Sequence, residues 1–190
     1  GSASFQLLRQ AQTLAGRLEV IDMAPLLLPE VTQRFEDIEQ LWVRGGFPGS
    51  YTPLADEDSW QWRQDFIRHF LNVDLPALGI GVDPPSMGRF WRMLAHLNGQ
   101  LLNASVLSRS LGVSAPTVSR WLDHLVDALV VRRLEPWHAN LGKRLVKSPK
   151  IYLRDTGLLH ALLGIRDAEA LAGHPASGAS WEGFVVEQIC

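Results

Sequence analysis

Cysteine is nearly missing from this 190-residue chain: the single one, Cys190, is the last residue. That excludes an internal disulfide framework and a cysteine-rich zinc site, and it suits a reducing compartment. No uninterrupted apolar run approaches the roughly 20 residues that span a bilayer. Nor does a basic stretch followed by an apolar one open the chain, so no secretory signal is read. A cytoplasmic location is the expectation, with no membrane partner.

Nucleotide and catalytic signatures are missing as well. There is no Gly-x-x-x-x-Gly-Lys-Ser/Thr phosphate loop and no Gly-x-Gly-x-x-Gly. Gly45-Gly46 and Gly79-x-Gly81 lack that context and read as turns. The six histidines form neither His-x-x-x-His nor His-Glu-x-x-His, so a metal site is disfavoured. Ser108 and Ser110 lack the flanking glycines of a nucleophile elbow. Glu182 and Glu187, five apart, would share a helix face poorly and make a weak acid–base pair. No enzyme active site is complete, and no cofactor is expected in this chain by itself.

What is present is enough apolar sequence for a core: 46% of residues are hydrophobic and 20% are charged. The net charge of −2 hides an asymmetry. Residues 1–85 carry 6 Lys/Arg against 12 Asp/Glu, residues 86–154 carry 11 against 3, and residues 155–190 carry 1 against 5. A basic block between two acidic flanks suggests a modular chain whose middle meets an anionic partner. The plainer reading is that these cations are solvated or pair with the flanking acids.

Periodicity and turn residues outline mostly helices. Residues 17–23 alternate as a short strand, and residues 30–43 read as a helix stopped at Gly45-Gly46-Phe47-Pro48. Residues 56–75 place Trp60, Phe66, Ile67, Phe70 and Leu71 at helical spacing. Leu78 to Pro85, rich in Gly and Pro, reads as a linker. Helices are expected over 86–99, from Gly157 to Leu163 and from about Ser177 onward, and strands over 130–134 and 150–154. Both ends look cut, so the chain reads as a piece of something longer; Gly1-Ser2 also fits a cloning remnant. The apolar Trp181, Phe184, Val185 and Ile189 need a surface to pack on, either residues 155–165 or a neighbouring molecule.

Residues 103–128 match a helix-turn-helix on several points. Val106, Leu107 and Leu111 share one face of a first short helix. Gly112 can take the positive φ of a tight turn. Ser114 can cap the second helix, and Pro116 suits its first turn. Val118, Leu122 and Leu125 form that helix's buried stripe, which leaves Ala115, Thr117, Ser119 and Arg120 pointing outward. Trp91 and Trp121 fall near apolar faces and read as core. The strand, basic loop and returning strand that follow read as a wing. Lys143, Arg144 and Lys147 in that loop suit a phosphate backbone, and Thr117, Ser119 and Arg120 suit base edges.

Several segments together resemble a family of bacterial and archaeal ATPases with an AAA-type module followed by a C-terminal region of unknown function. They are Gly1-Ser2-Ala3-Ser4, Leu14-Ala15-Gly16-Arg17, Trp42-Val43-Arg44-Gly45-Gly46-Phe47-Pro48, the run from Leu141 to Asp155, and Ser180-Trp181-Glu182-Gly183-Phe184-Val185-Val186-Glu187. In order they cover nearly the whole chain. The resemblance implies that the phosphate loop precedes Gly1, with ATP and Mg belonging to the longer parent. It implies that Ser2 or Ser4 sits near the γ-phosphate and that Arg17 senses nucleotide state; an exposed strand-start residue is the simpler reading of Arg17. Glu182 would match the first acidic position of a restriction-endonuclease-like fold. The remaining metal-binding positions of that fold would lie past Cys190.

The fold expected is therefore mainly α, with a winged helix-turn-helix and a small β-hairpin wing. Residues 1–24 are read as the tail of an ATPase module, 25–85 as a helical lid, 86–154 as the winged helix, and 155–190 as the start of a nuclease-like domain. The expected role is DNA binding within a larger ATP-dependent protein. The alternative is an interaction scaffold that couples the ATPase module to a protein partner without touching DNA. Expected partners are DNA, the rest of the ATPase chain and, as an option, further copies of the chain.

Overall fold

The computed structural model describes residues 23–31, 34–136 and 148–190. The expected strand over 17–23 lies almost wholly outside them. Short helices come first: α1 (Leu28–Val31), α2 (Phe35–Arg44) and α3 (Pro48–Tyr51). Helix α2 starts where the Asp37 carboxylate accepts the Arg34 amide at 2.9 Å. It stops at Gly45, whose φ of +79° suits a residue without Cβ. Helix α4 (Asp56–His69) opens on Asp56, Glu57 and Asp58, acids that favour a helix N-terminus. It continues as a π-turn over Phe70–Asp74 and ends in a short α5 (Leu75–Ala77).

Helix α6 (Pro84–His96) is started by Asp83, which accepts the Ser86 amide at 2.9 Å. Helices α7 (Ala104–Leu111) and α8 (Ala115–Asp127) follow. Strand β1 (Gln100–Leu101) precedes them; β2 (Val131–Leu134) and β3 (Lys150–Leu153) come after. The chain then forms α9 (Thr156–Leu163), α10 (Ala168–Ala172) and α11 (Ser177–Ile189). The expected helices and the two longer strands are present within a residue or two at most ends. Sequence reading passed over β1, α3 and α10.

The three strands form one antiparallel sheet in the order β1-β3-β2. Gln100 faces Ile151, and Arg133 faces the same Ile151 from the other side. One hydrophobic cluster joins the end of α4, helices α6 to α9, and the inner face of this sheet. Trp91 is its centre, fully buried and 5.1 Å from the Phe70 ring. Trp121 meets Phe90 at 5.7 Å, so both tryptophans expected in the core are there. Among the described residues, no helix is long and apolar enough to cross a membrane.

Candidate nucleic-acid interface

The α7–α8 pair is built as its sequence dictates. Asn103 caps α7 by accepting the Val106 amide at 3.1 Å. Gly112 ends it in the left-handed region, φ +69°. Ser114 then caps α8 by accepting the Thr117 amide at 3.2 Å. Val118, Leu122 and Leu125 point into the core. Val106 does not join Leu107 and Leu111 inside; it remains 44% exposed.

The outer side of α8 is open to solvent at Pro116, Ser119, Arg120 and Asp123. The three residues read as base contacts differ in what they have left to offer. The Thr117 and Ser114 hydroxyls lie 2.8 Å apart in the cap. Ser119 donates its hydroxyl back to the Ala115 carbonyl at 3.3 Å. Arg120 is exposed, and no carboxylate among the described residues pairs with it. It is therefore the one of the three whose donors are uncommitted. Arg109, exposed in the last turn of α7, shares that property and was missed in the sequence reading. Its cue was position, because it is the one cation on α7 and precedes the turn by two residues.

Much of the remaining basic block is spent on internal partners. Arg132 and Arg154 both bind Glu187 of α11, the latter at 3.1 Å. Hydrogen bonding to Glu187 raises the Arg132 pKa despite its partial burial. Arg133 pairs with Asp123 of α8. Lys150 donates to Glu182 at 2.7 Å and Tyr152 donates to it at 2.6 Å. Those two bonds hold the Glu182 carboxyl below its ordinary pKa. Arg132, Arg154 and Lys150 thus pair with acids of the C-terminal flank, as the plainer reading has it, and Arg133 with an acid inside the basic block. Lys143, Arg144 and Lys147, the wing residues, lie outside the described residues, as do Ser2, Ser4 and Arg17.

Glu182 does not meet Glu187; each carboxylate is held by its own cations. Among the described residues, no three His, Cys, Asp or Glu side chains gather to hold a metal ion. Lys150 and Tyr152 both donate to one oxygen of Glu182, Oε1, and no second acid stands beside it among the described residues. The residues present do not fit a metal centre, and no cleavage step is derived from them.

A second polar cluster is wholly internal. Asp155 caps α9 by accepting the Leu158 amide at 2.8 Å, and its other oxygen accepts the Gly46 amide at 2.8 Å. A Cβ at Gly45 would collide with this carboxylate, and one at Gly157 would collide with the Arg44 carbonyl. Arg63, 1% exposed, donates to the carbonyls of Ser59, Val43, Gly157 and Arg166. His160, fully buried, lies 2.9 Å from the Val43 carbonyl and 2.7 Å from the Ser180 hydroxyl, which also accepts from Trp42 at 3.0 Å. Every polar atom of the His160 ring is thus satisfied in the neutral form: Nδ1 donates to Val43 and Nε2 accepts from Ser180. This cluster ties α2 to α9 and α11.

Burial pushes the Asp155 carboxyl up to about 6, outweighing the amides of Leu158 and Gly46 and the nearby Arg63 charge. Burial pushes His160 down to about 4, against the help of the Val43 carbonyl. The two act oppositely on stability. The His160 contribution is present above its ordinary pKa of 6.5 and is lost as pH falls towards 4. The Asp155 contribution is present below 3.8 and is lost as pH rises towards 6. Wild-type stability should therefore change little between pH 4 and 6. Removing the acid with Asp155→Asn should expose the histidine alone, and unfolding free energy should then rise by about 3 kcal/mol from pH 4 to 6.5. Urea titrations across that range check this; a flat profile in the variant would contradict it.

Residues 35–169 match the family described as a domain of unknown function, DUF8612, and the chain belongs to that family. It is similar over its full length to an uncharacterised protein of Mycobacterium bovis and to one of Mycobacterium tuberculosis, at 52% identity to each. It spans 43% of the length of those relatives. No solved structure matches the chain.

Proposed function

We propose that residues 86–154 form a winged helix-turn-helix that binds DNA, and that the chain is the C-terminal part of a cytoplasmic AAA-type ATPase. The observation that carries this reading is Arg120: an uncommitted guanidinium on the open outer side of α8, next to the capped turn. The N-terminal half of a second helix is where such modules reach base edges. Arg109 adds a phosphate contact from α7, and Lys143, Arg144 and Lys147 add three from the wing. ATP and Mg belong to the parent's nucleotide module, towards which Ser2, Ser4 and Arg17 would face. Residues 155–190 would open a nuclease-like domain, with Glu182 at its first acidic position and no cleavage assigned to it.

The interaction-scaffold reading is favoured by one observation, the consumption of Arg132, Arg133, Lys150 and Arg154 in internal pairs. Fluorescence anisotropy with a labelled duplex separates the two. Arg120→Ala should weaken DNA binding by about 1–3 kcal/mol and relax sequence preference. Binding indifferent to Arg120, with the fold intact, would favour the scaffold.

A further inference from the structure

Helices α4 and α6 leave a groove of about 380 Å³ between them, on a part of the molecule not used in the DNA reading. On one side, Gln64, Ile67, Arg68, Leu71 and Asn72 recur at intervals that keep them on a single helix face. On the other side, Pro84, Pro85, Gly88 and Arg92 do the same for α6. The floor depends on Gly88, where an added Cβ would stand 3.0 Å from a Leu71 methyl. A side chain at position 88 would press on Leu71 and narrow the groove there. The π-turn begins at Phe70, between Arg68 and Leu71; such irregular turns within helices are frequent at functional sites.

The lining has a definite chemistry. Ile67, Leu71 and the two prolines give an apolar base. Arg92 stands exposed at the rim, with no carboxylate among the described residues paired to it. Arg68 bonds Asp65, but both are solvent-exposed, so that pair costs little to exchange. Asp83, next to Pro84 in the chain, accepts the Ser86 amide at 2.9 Å. Among the lining residues there is no acid. Gln64 and Asn72 each donate to a backbone carbonyl, Ala161 and Arg68 respectively, which leaves their amide oxygens free to accept.

We infer that the α4–α6 groove docks an acidic peptide segment, apolar side chains down on Ile67 and Leu71 and carboxylates on Arg92 and Arg68. Peptide N–H groups are the donors that the Gln64 and Asn72 oxygens can take. An open groove of this size, lined by both apolar and polar side chains, suits a few side chains of an extended segment. A DNA duplex presents chiefly phosphates and polar groove edges, with the thymine methyl as its main apolar group.

The test uses the full chain and an array of fluorescein-labelled decapeptides that alternate Leu with Asp or Glu, alongside the same peptides with Gln or Lys in place of the acids. Acidic members should bind at least tenfold more tightly than either control. Arg92→Glu, an exposed change that leaves the core alone, should reverse the order and favour the Lys set. Gly88→Leu should abolish binding of every set; a melting profile shows whether that variant is folded, and Arg92→Glu decides if it is not. No acidic preference, or a preference untouched by Arg92→Glu, overturns the inference. Loss of duplex affinity in Arg92→Glu without peptide binding assigns the groove to nucleic acid and overturns it too. None of these outcomes depends on Arg120, so the DNA reading stands or falls separately.

Discussion

Asp155→Ala should destabilise the protein by about 3–5 kcal/mol, for a reason local to one carboxylate. The wild-type oxygens satisfy two backbone N–H groups that water cannot reach, Leu158 in the first turn of α9 and Gly46 after α2. Alanine leaves both orphaned. Each buried unsatisfied donor costs about 1–3 kcal/mol, and the lost cap is counted within the first. For a chain of this length the melting temperature should fall by roughly 10 °C or more. Asp155→Asn should cost less, because its single amide oxygen keeps one of the two bonds while its NH2 faces the other donor. The order alanine worse than asparagine worse than wild type, read by thermal unfolding, checks the cap. Equal losses in both variants would contradict the two-amide cap as the source of the stability.

Local signals made much of this fold legible. Gly112 and Ser114 punctuate α7 and α8 through backbone geometry that any turn of this kind requires. The stripe Val118, Leu122 and Leu125 follows from helical period alone. Strand β1 was not legible, since two residues, Gln100 and Leu101, show no period, and their pairing with β3 is set from 50 positions away in sequence. Arg63 was not legible either: a cation is buried here because three carbonyls from distant segments, Val43, Gly157 and Arg166, converge on it beside that of Ser59 in its own helix. His160 was dismissed as a metal ligand by spacing, but its structural role depends on Val43 and Ser180, which no local pattern connects to it. The environment of the candidate interface follows partly from local and partly from distant signals. The exposure of Arg120 follows from the helix stripe. The diversion of Arg132 and Arg154 to Glu187 follows only from the packing of α11 beside the sheet.

That diversion sharpens what DNA binding must rest on. With Arg132, Arg133, Lys150 and Arg154 engaged internally, the proposed phosphate contacts fall to Arg109, Lys143, Arg144 and Lys147, beside Arg120 as the proposed base contact. Reversing two of these four has a large expected effect. Lys143→Glu combined with Arg144→Glu should weaken duplex binding on the order of 100-fold at 50 mM salt. The loss should be similar for all sequences, because phosphates carry no sequence information.

The most direct measurement is the slope of log affinity against log salt for a labelled duplex, in wild type and in the Lys143→Glu, Arg144→Glu variant. Each phosphate neutralised contributes about −0.9 to that slope through counterion release. Four phosphate contacts predict a wild-type slope of roughly −3.5, and the variant should be shallower by about 2. A duplex that does not bind even at low salt, or a slope that the double reversal leaves unchanged, would contradict DNA binding through this helix pair and its wing.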